Sequence, residues 1–179
     1  MLRARTWLHD SPINFFLHNF VQDAARGIHC FLSGFFTTMY RETGEYSYEE
    51  VSRWGRRIDL STLEQLFVPI NIDNVHWIFI RVLFEDKTIE LYDPQGRKDP
   101  TNRQYMEDMR RFLHRELHKV NQGQNGRTVM VELPEDQRPQ YDVWKREWTY
   151  KDRSQHAPAQ ENTYDCGVFT IVSIYLLSR

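Results

Sequence analysis

Cysteine is scarce in this sequence. Two thiols, Cys30 and Cys166, in 179 residues supply no disulfide framework, which places the expected home in a reducing compartment, nucleus or cytoplasm. Long apolar runs are missing as well. No stretch approaches the ~18 to 20 residues of a spanning helix, and the opening Met1-Leu2-Arg3-Ala4-Arg5 lacks the apolar core of a secretory leader, so no membrane is expected as partner. Neither sign of charge dominates: a net charge of −2 gives no global field that would recruit nucleic acid. No internal repeat is visible. What is present, 14% aromatic and 27% charged residues, suits a globular chain of one domain, long enough to bury a sizeable core.

Asp10-Ser11-Pro12 offers a cap residue and then a proline near the first helical position. Ile13, Phe16, Leu17, Phe20 and Val21 follow at helical spacing, which predicts an amphipathic helix with one core face, ended near Gly27. Residues 29–40 read as buried, with helix as one option. Ser47 and Glu50 make a capping-box signature for a short helix through Trp54, and Ser61 or Thr62 with Glu64 and Gln65 suggests another turn. Residues 67–72 read as a strand whose Pro69 is better suited to an edge or a strand end. Residues 76–84 are nearly continuous and apolar, as in a central strand, while 88–93 alternate. These two predict an antiparallel hairpin about Glu85-Asp86-Lys87. Residues 102–120 predict a charged amphipathic helix, 128–133 a strand, 134–141 a polar loop and 143–150 the last strand. The apolar run from Val168 to Leu177 reads as a buried helix. Helices, then strands, then a helix on a sheet give an α+β fold with the cysteine helix in its core.

Cys166 stands where the polar loop after Pro158 meets that helix. Free backbone N–H groups and the positive end of the helix dipole both favour a thiolate there. A lone cysteine in such a place is more often a small core residue. Three other residues change the balance. His76 opens the central strand and Asp93 closes its partner, so both lie at the same open end of the hairpin, where a carboxylate can fix an imidazole tautomer. Gln160, six residues before Cys166, can donate with the Cys166 N–H to a developing oxyanion. Nucleophile, base, orienter and oxyanion donor are all accounted for.

The stretches Trp7-Leu8-His9-Asp10, Val68-Pro69-Ile70-Asn71 leading to His76-Trp77, Tyr92-Asp93-Pro94-Gln95-Gly96, and Pro158-Ala159-Gln160-Glu161-Asn162-Thr163-Tyr164-Asp165-Cys166-Gly167 occur in order across nearly the whole chain. Together they resemble the motifs of the ubiquitin-like-protein proteases, the SUMO-specific or sentrin-specific cysteine peptidases. The resemblance implies a papain-like-superfamily fold, with a mixed sheet packed against the nucleophile's helix. It implies His76, Asp93 and Cys166 as catalytic residues, with Gln160 in the oxyanion hole. It also implies that Trp7 and Trp77 wall a tunnel for a Gly-Gly tail, and that Asp10 pairs with a basic residue of the modifier. The implied activity is cleavage after the terminal Gly-Gly of a ubiquitin-like modifier, SUMO first, by a monomer that needs no metal or organic cofactor. Ubiquitin or a NEDD8-like protein is the alternative modifier; a modifier-binding module without activity and an acyltransferase of related fold are the alternative functions. The interval from Asp93 to Gln160 is long for the family, so residues 122–141 read as an insertion. The sequence stops at Arg179, soon after the cysteine helix, which reads as a domain cut short at its C-terminal side.

Other conspicuous residues have plainer readings. Cys30 is expected as a buried small residue. His114 and His118 have the i, i+4 spacing of a zinc pair, but no third ligand is evident, so a solvated helix face is expected. Trp54, Trp144 and Trp148 read as packing. Arg53, Arg56 and Arg57 read as a solvated basic face.

Overall fold

The computed structural model describes residues 7–41, 44–97, 99–123, 127–156 and 158–179. Residues 1–6, and 124–126 within the stretch read as inserted, lie outside them. Helix α1 (Asp10–Phe16) runs directly into a π-helical turn (Leu17–Val21), closed by a bond from Gln22 N–H to the Leu17 carbonyl at 2.9 Å. The extra residue in that turn rotates the helix face. Ile13, Leu17 and Val21 are buried as the spacing predicts, whereas Phe20 is turned out to 53% exposure. The helix starts one residue earlier than its sequence signal: His9 is the cap and Asp10 the first helical residue. Gly27, at φ 61°, ends the segment; a side chain there would also sit 2.9 Å from the Glu64 nitrogen.

Strand β1 (Ile28–Cys30) and helix α2 (Gly34–Met39) divide the stretch that reads as buried. Helix α3 (Tyr48–Val51) and a 3-10 turn carry the chain through Trp54. Two eight-residue strands follow, β2 (Gln65–Ile72) and β3 (His76–Leu83), then β4 (Thr88–Tyr92). Asp73 and Asn74, both at positive φ, make the tight turn between β2 and β3, a conformation asparagine and aspartate tolerate better than most residues. Helix α4 (Pro100–Glu116) is capped by the Asp99 carboxylate, which accepts from Thr101 N–H at 2.8 Å. The helix ends before the predicted residue 120 because Lys119–Asn121 is instead strand β5, paired with β6 (Met130–Glu132) in a separate ribbon.

The predicted last strand is mostly helical. Helix α5 (Tyr141–Trp144) and a 3-10 turn precede β7 (Thr149–Asp152), since Trp144 and Trp148 pack on one another (centroids 5.3 Å apart) from a turn rather than from a pleat. Helix α6 (Cys166–Leu177) closes the chain.

The main sheet has the order β1-β2-β3-β4-β7, parallel at both ends and antiparallel in the middle. β1 stops at Cys30 opposite Phe67, so Pro69 lies where β2 has a neighbour on one flank only, which is what an imide nitrogen requires. Alternation along β2 and β3 sorts their side chains. Leu66, Val68, Ile70, Ile78, Ile80 and Val82 face a core shared with α2 and α4. Phe67, Trp77 and Phe79 face a smaller one shared with α1 and α6. The second is the core that carries Cys166.

Candidate active site

β3 begins at His76 and β4 ends at Tyr92, with Phe79 opposite Tyr92. The register therefore brings the next residue, Asp93, to the end of the hairpin where β3 starts. His76 Nε2 lies 2.7 Å from Asp93 Oδ1. Both residues are buried, His76 at 9% and Asp93 at 3% exposure. The same carboxylate oxygen accepts Gln95 N–H at 2.8 Å, and Asp93's own N–H donates to Ser154 Oγ at 3.1 Å. An ionised carboxylate can only accept, so His76 Nε2 carries a proton in either charge state of the ring, and Nδ1 is the nitrogen left for proton transfer. That Nδ1 is buried with no hydrogen-bond partner among the described residues.

Cys166 is the first residue of α6 and is fully buried. Burial alone would raise its pKa. The His76 ring and the backbone N–H groups of Trp77 and Gly167 outweigh that and hold the thiol below its ordinary value. For His76 burial pulls the other way, but the hydrogen bond and charge of Asp93, with the nearby Cys166 sulfur, raise it to about 9. The two shifts are coupled, and both run in the direction that favours a thiolate beside an imidazolium.

The loop before Cys166 is built around Asn162. Its Oδ1 accepts Tyr164 N–H at 3.0 Å and Asp165 N–H at 2.9 Å, its Nδ2 donates to Asp165 Oδ2 at 2.6 Å, and its carbonyl accepts Gln160 Nε2 at 2.5 Å. Gln160 N–H donates to the Pro94 carbonyl at 2.8 Å, tying this loop to the one that carries Asp93. The side chain expected as oxyanion donor thus has one amide N–H engaged by its own loop and a second to spare. Asn162 escaped the sequence reading, although an asparagine two and three residues before free N–H groups is the pattern of an Asx turn. The Gln95 N–H escaped it too, although an aspartate two residues before a free N–H is the same Asx pattern; Ser154 left no signal, because it reaches Asp93 from a loop brought alongside by the sheet.

The two tryptophans are placed differently from one another. Trp7 is 46% exposed and its indole N–H donates to the Thr163 carbonyl at 2.9 Å, which sets it over the loop leading to Cys166. Trp77, read as the opposite wall of a tunnel, is buried to 1% exposure with its N–H on the Leu8 carbonyl at 2.8 Å. The reason is Gly167: a Cβ there would lie 2.9 Å from Leu8 Cβ and 3.1 Å from Trp77 Cδ1, so its absence lets both close down on the helix that carries Cys166. Asp10 is exposed on the first turn of α1, with no ion pair to a described residue.

Among the described residues no cluster of three or more His, Cys, Asp or Glu could hold a metal ion. His114 and His118 are not on a solvated face: His114 is 9% exposed, with Nε2 2.7 Å from the Pro139 carbonyl, and His118 Nδ1 lies 2.5 Å from the His114 carbonyl. Cys30 is buried and its thiol is pushed up to about 12 by desolvation. No helix among the described residues is long and apolar enough to cross a membrane.

A sequence profile of the Ulp1 protease family, C-terminal catalytic domain, matches residues 6–179. Sentrin-specific protease 5 of Homo sapiens is 28% identical over 171 residues, covering 95% of this chain and 19% of that protein. Sentrin-specific protease 2 of Mus musculus is 26% identical over 182 residues, covering 99% and 27%. The chain therefore spans a minor part of the length of these relatives. Among solved structures, the C-terminal Ulp1 protease domain in complex with Smt3, the yeast ortholog of SUMO, aligns with a TM-score of 0.69 at 23% identity, covering 98% of this chain and 67% of that one. That likeness shows the fold, an α+β arrangement with a mixed sheet against the helix that carries Cys166.

Proposed function

The chain belongs to the Ulp1 protease family, and on that premise we propose that it is a cysteine peptidase and isopeptidase cleaving after the C-terminal Gly-Gly of a ubiquitin-like modifier, SUMO first. One observation carries the reading: a buried His76 whose Nε2 is committed to Asp93 at 2.7 Å while its Nδ1 is left unpartnered, next to a thiol at a helix start whose pKa the same ring lowers. The relatives named sentrin-specific proteases, and a neighbour solved with the yeast ortholog of SUMO, support the choice of modifier.

In this reading the Cys166 thiolate attacks the carbonyl carbon of the terminal glycine. The oxyanion is met by the Cys166 N–H and the second amide N–H of Gln160. The imidazolium of His76 gives its Nδ1 proton to the departing lysine amine as the C–N bond breaks, leaving a thioester. His76 Nδ1 then takes a proton from water, whose oxygen adds to the thioester carbon, and the thiolate leaves with the modifier's carboxylate restored. Asp93 keeps the ring in the required tautomer throughout. Trp7 is the indole that meets the tail; Trp77 supports the site from below through Leu8 and Gly167. Asp10 is offered to a basic residue of the modifier. The work is done by a monomer in a reducing compartment, nucleus or cytoplasm.

A panel of Gly-Gly-ended modifiers carrying a C-terminal electrophile tests the proposal. Covalent labelling at Cys166 by the SUMO probe is expected. Labelling by only ubiquitin or a NEDD8-like probe would move the substrate, and binding without labelling would make the chain a modifier-binding module.

A further inference from the structure

Asp93 is held by more than His76. It lies one residue past the end of β4, where no strand ladder receives its N–H, and that N–H donates to Ser154 Oγ at 3.1 Å. Ser154 is 1% exposed. It is fixed in turn from both sides: its own N–H donates to Asp152 Oδ1 at 2.9 Å, and the preceding Arg153 N–H donates to the Leu91 carbonyl at 2.7 Å. Removing the hydroxyl would leave the Asp93 amide orphaned away from water, and its peptide would turn toward another acceptor. The carboxylate would turn with it.

We propose that Ser154 is a positioning residue for the Cys166 chemistry, fixing the Asp93 peptide so that Oδ1 meets His76 Nε2. The inference rests on the reading of Cys166 as nucleophile. The titratable groups facing His76 are Asp93, from the end of β4, and Cys166, from α6. Ser154 makes no hydrogen bond to His76 or Cys166 among the described residues, so its influence runs through Asp93.

The test uses the whole chain and a fluorogenic SUMO conjugate. Ser154→Ala is expected to lower kcat roughly tenfold with KM little changed. It should also move the alkaline limb of the kcat profile to lower pH, because a loosened carboxylate supports the imidazolium less. Ser154→Thr, which keeps the oxygen, is expected to restore most of both. In an Asp93→Asn background the Ser154→Ala loss should disappear, since the partner it acts through is already gone. A residue with a merely structural role would lower the unfolding midpoint, leave the alkaline limb in place and multiply its loss onto that of Asp93→Asn. That pattern, or wild-type kinetics in Ser154→Ala, overturns the proposal. Full activity in Cys166→Ala overturns the underlying reading and the inference with it, so that control comes first.

Discussion

One face of the central sheet carries Leu66, Val68, Ile80, Val82 and Leu91 beneath Phe31, Phe35 and Phe112, whose rings interlock at 4.6 to 5.8 Å. The other carries Phe67, Trp77 and Phe79 beneath α1 and α6 and leaves Phe15, Phe20, Val168, Val172 and Leu176 between 42% and 64% exposed. The thick face is held by burial of aromatic area. The thin face has a smaller apolar core, including Ile13, Leu17, Phe67, Trp77 and Ile174, supplemented by polar pins: Trp77 N–H on the Leu8 carbonyl, Thr170 Oγ1 on the Trp77 carbonyl at 3.4 Å, and Arg81 Nη2 on the Leu177 carbonyl at 3.2 Å. Arg81 also meets the buried Glu90, which takes Arg153 at 2.9 Å on its other side. Cys166 sits on the lightly covered face, while the opposite face buries the larger share of apolar side chains.

This contrast can be broken at either side. The largest effect is expected from Cys166→Ala, which should lower turnover by roughly 10⁵-fold or more while leaving the unfolding midpoint near that of the parent, as read by a conjugate-cleavage assay and thermal melting. Phe112→Ala, on the thick face, should cost about 3–5 kcal/mol of stability, measured by denaturant unfolding, with the alkylation rate of Cys166 little altered under conditions where the chain remains folded. Gly167→Ala sharpens the comparison, because its Cβ meets Leu8 and Trp77 inside ordinary contact distance. A loss of about 1–3 kcal/mol is expected, accompanied by a fall in turnover that Phe112→Ala at equal stability does not show. The smallest effect is a pH limb. In the proposed reaction His76 must be protonated to supply the departing amine, and its pKa is raised to about 9. Turnover should therefore persist through neutral pH and decline as pH rises through about 9, where an unpaired imidazole of ordinary pKa would have lost its proton near 6.5.

Much of the thin face was legible in the sequence. His76 and Asp93 share the open end of a hairpin whose turn, alternation and length are all local features, and Cys166 precedes an uninterrupted apolar helix. The helix itself is less buried than its composition suggests: Val168, Val172 and Leu176 face outward at successive turns, because apolar residues on every side, with only Thr170 and Ser173 among them, do not say which side finds a partner. Trp7 and Trp77 look alike in sequence. Only the Gly167 contact, made across the fold, decides that one is covered and the other is not. The π turn after α1, strand β5 and the helical start of the segment ending at β7 were missed for a shared reason. Each is a short element whose form is set by tertiary packing rather than by its own periodicity. Ser154 and Asn162 mark the two ends of this range: the second follows a readable Asx pattern, and the first has no local pattern at all.

The central claim, a thiolate at Cys166 sustained by a His76 that Asp93 holds, is tested most directly by the pH dependence of Cys166 alkylation by iodoacetamide. Thiolate-level reactivity is expected to persist below the ordinary cysteine range, with the midpoint returning upward in His76→Ala. A single rise centred near the ordinary thiol value of about 8.5, unchanged by His76→Ala, would contradict it.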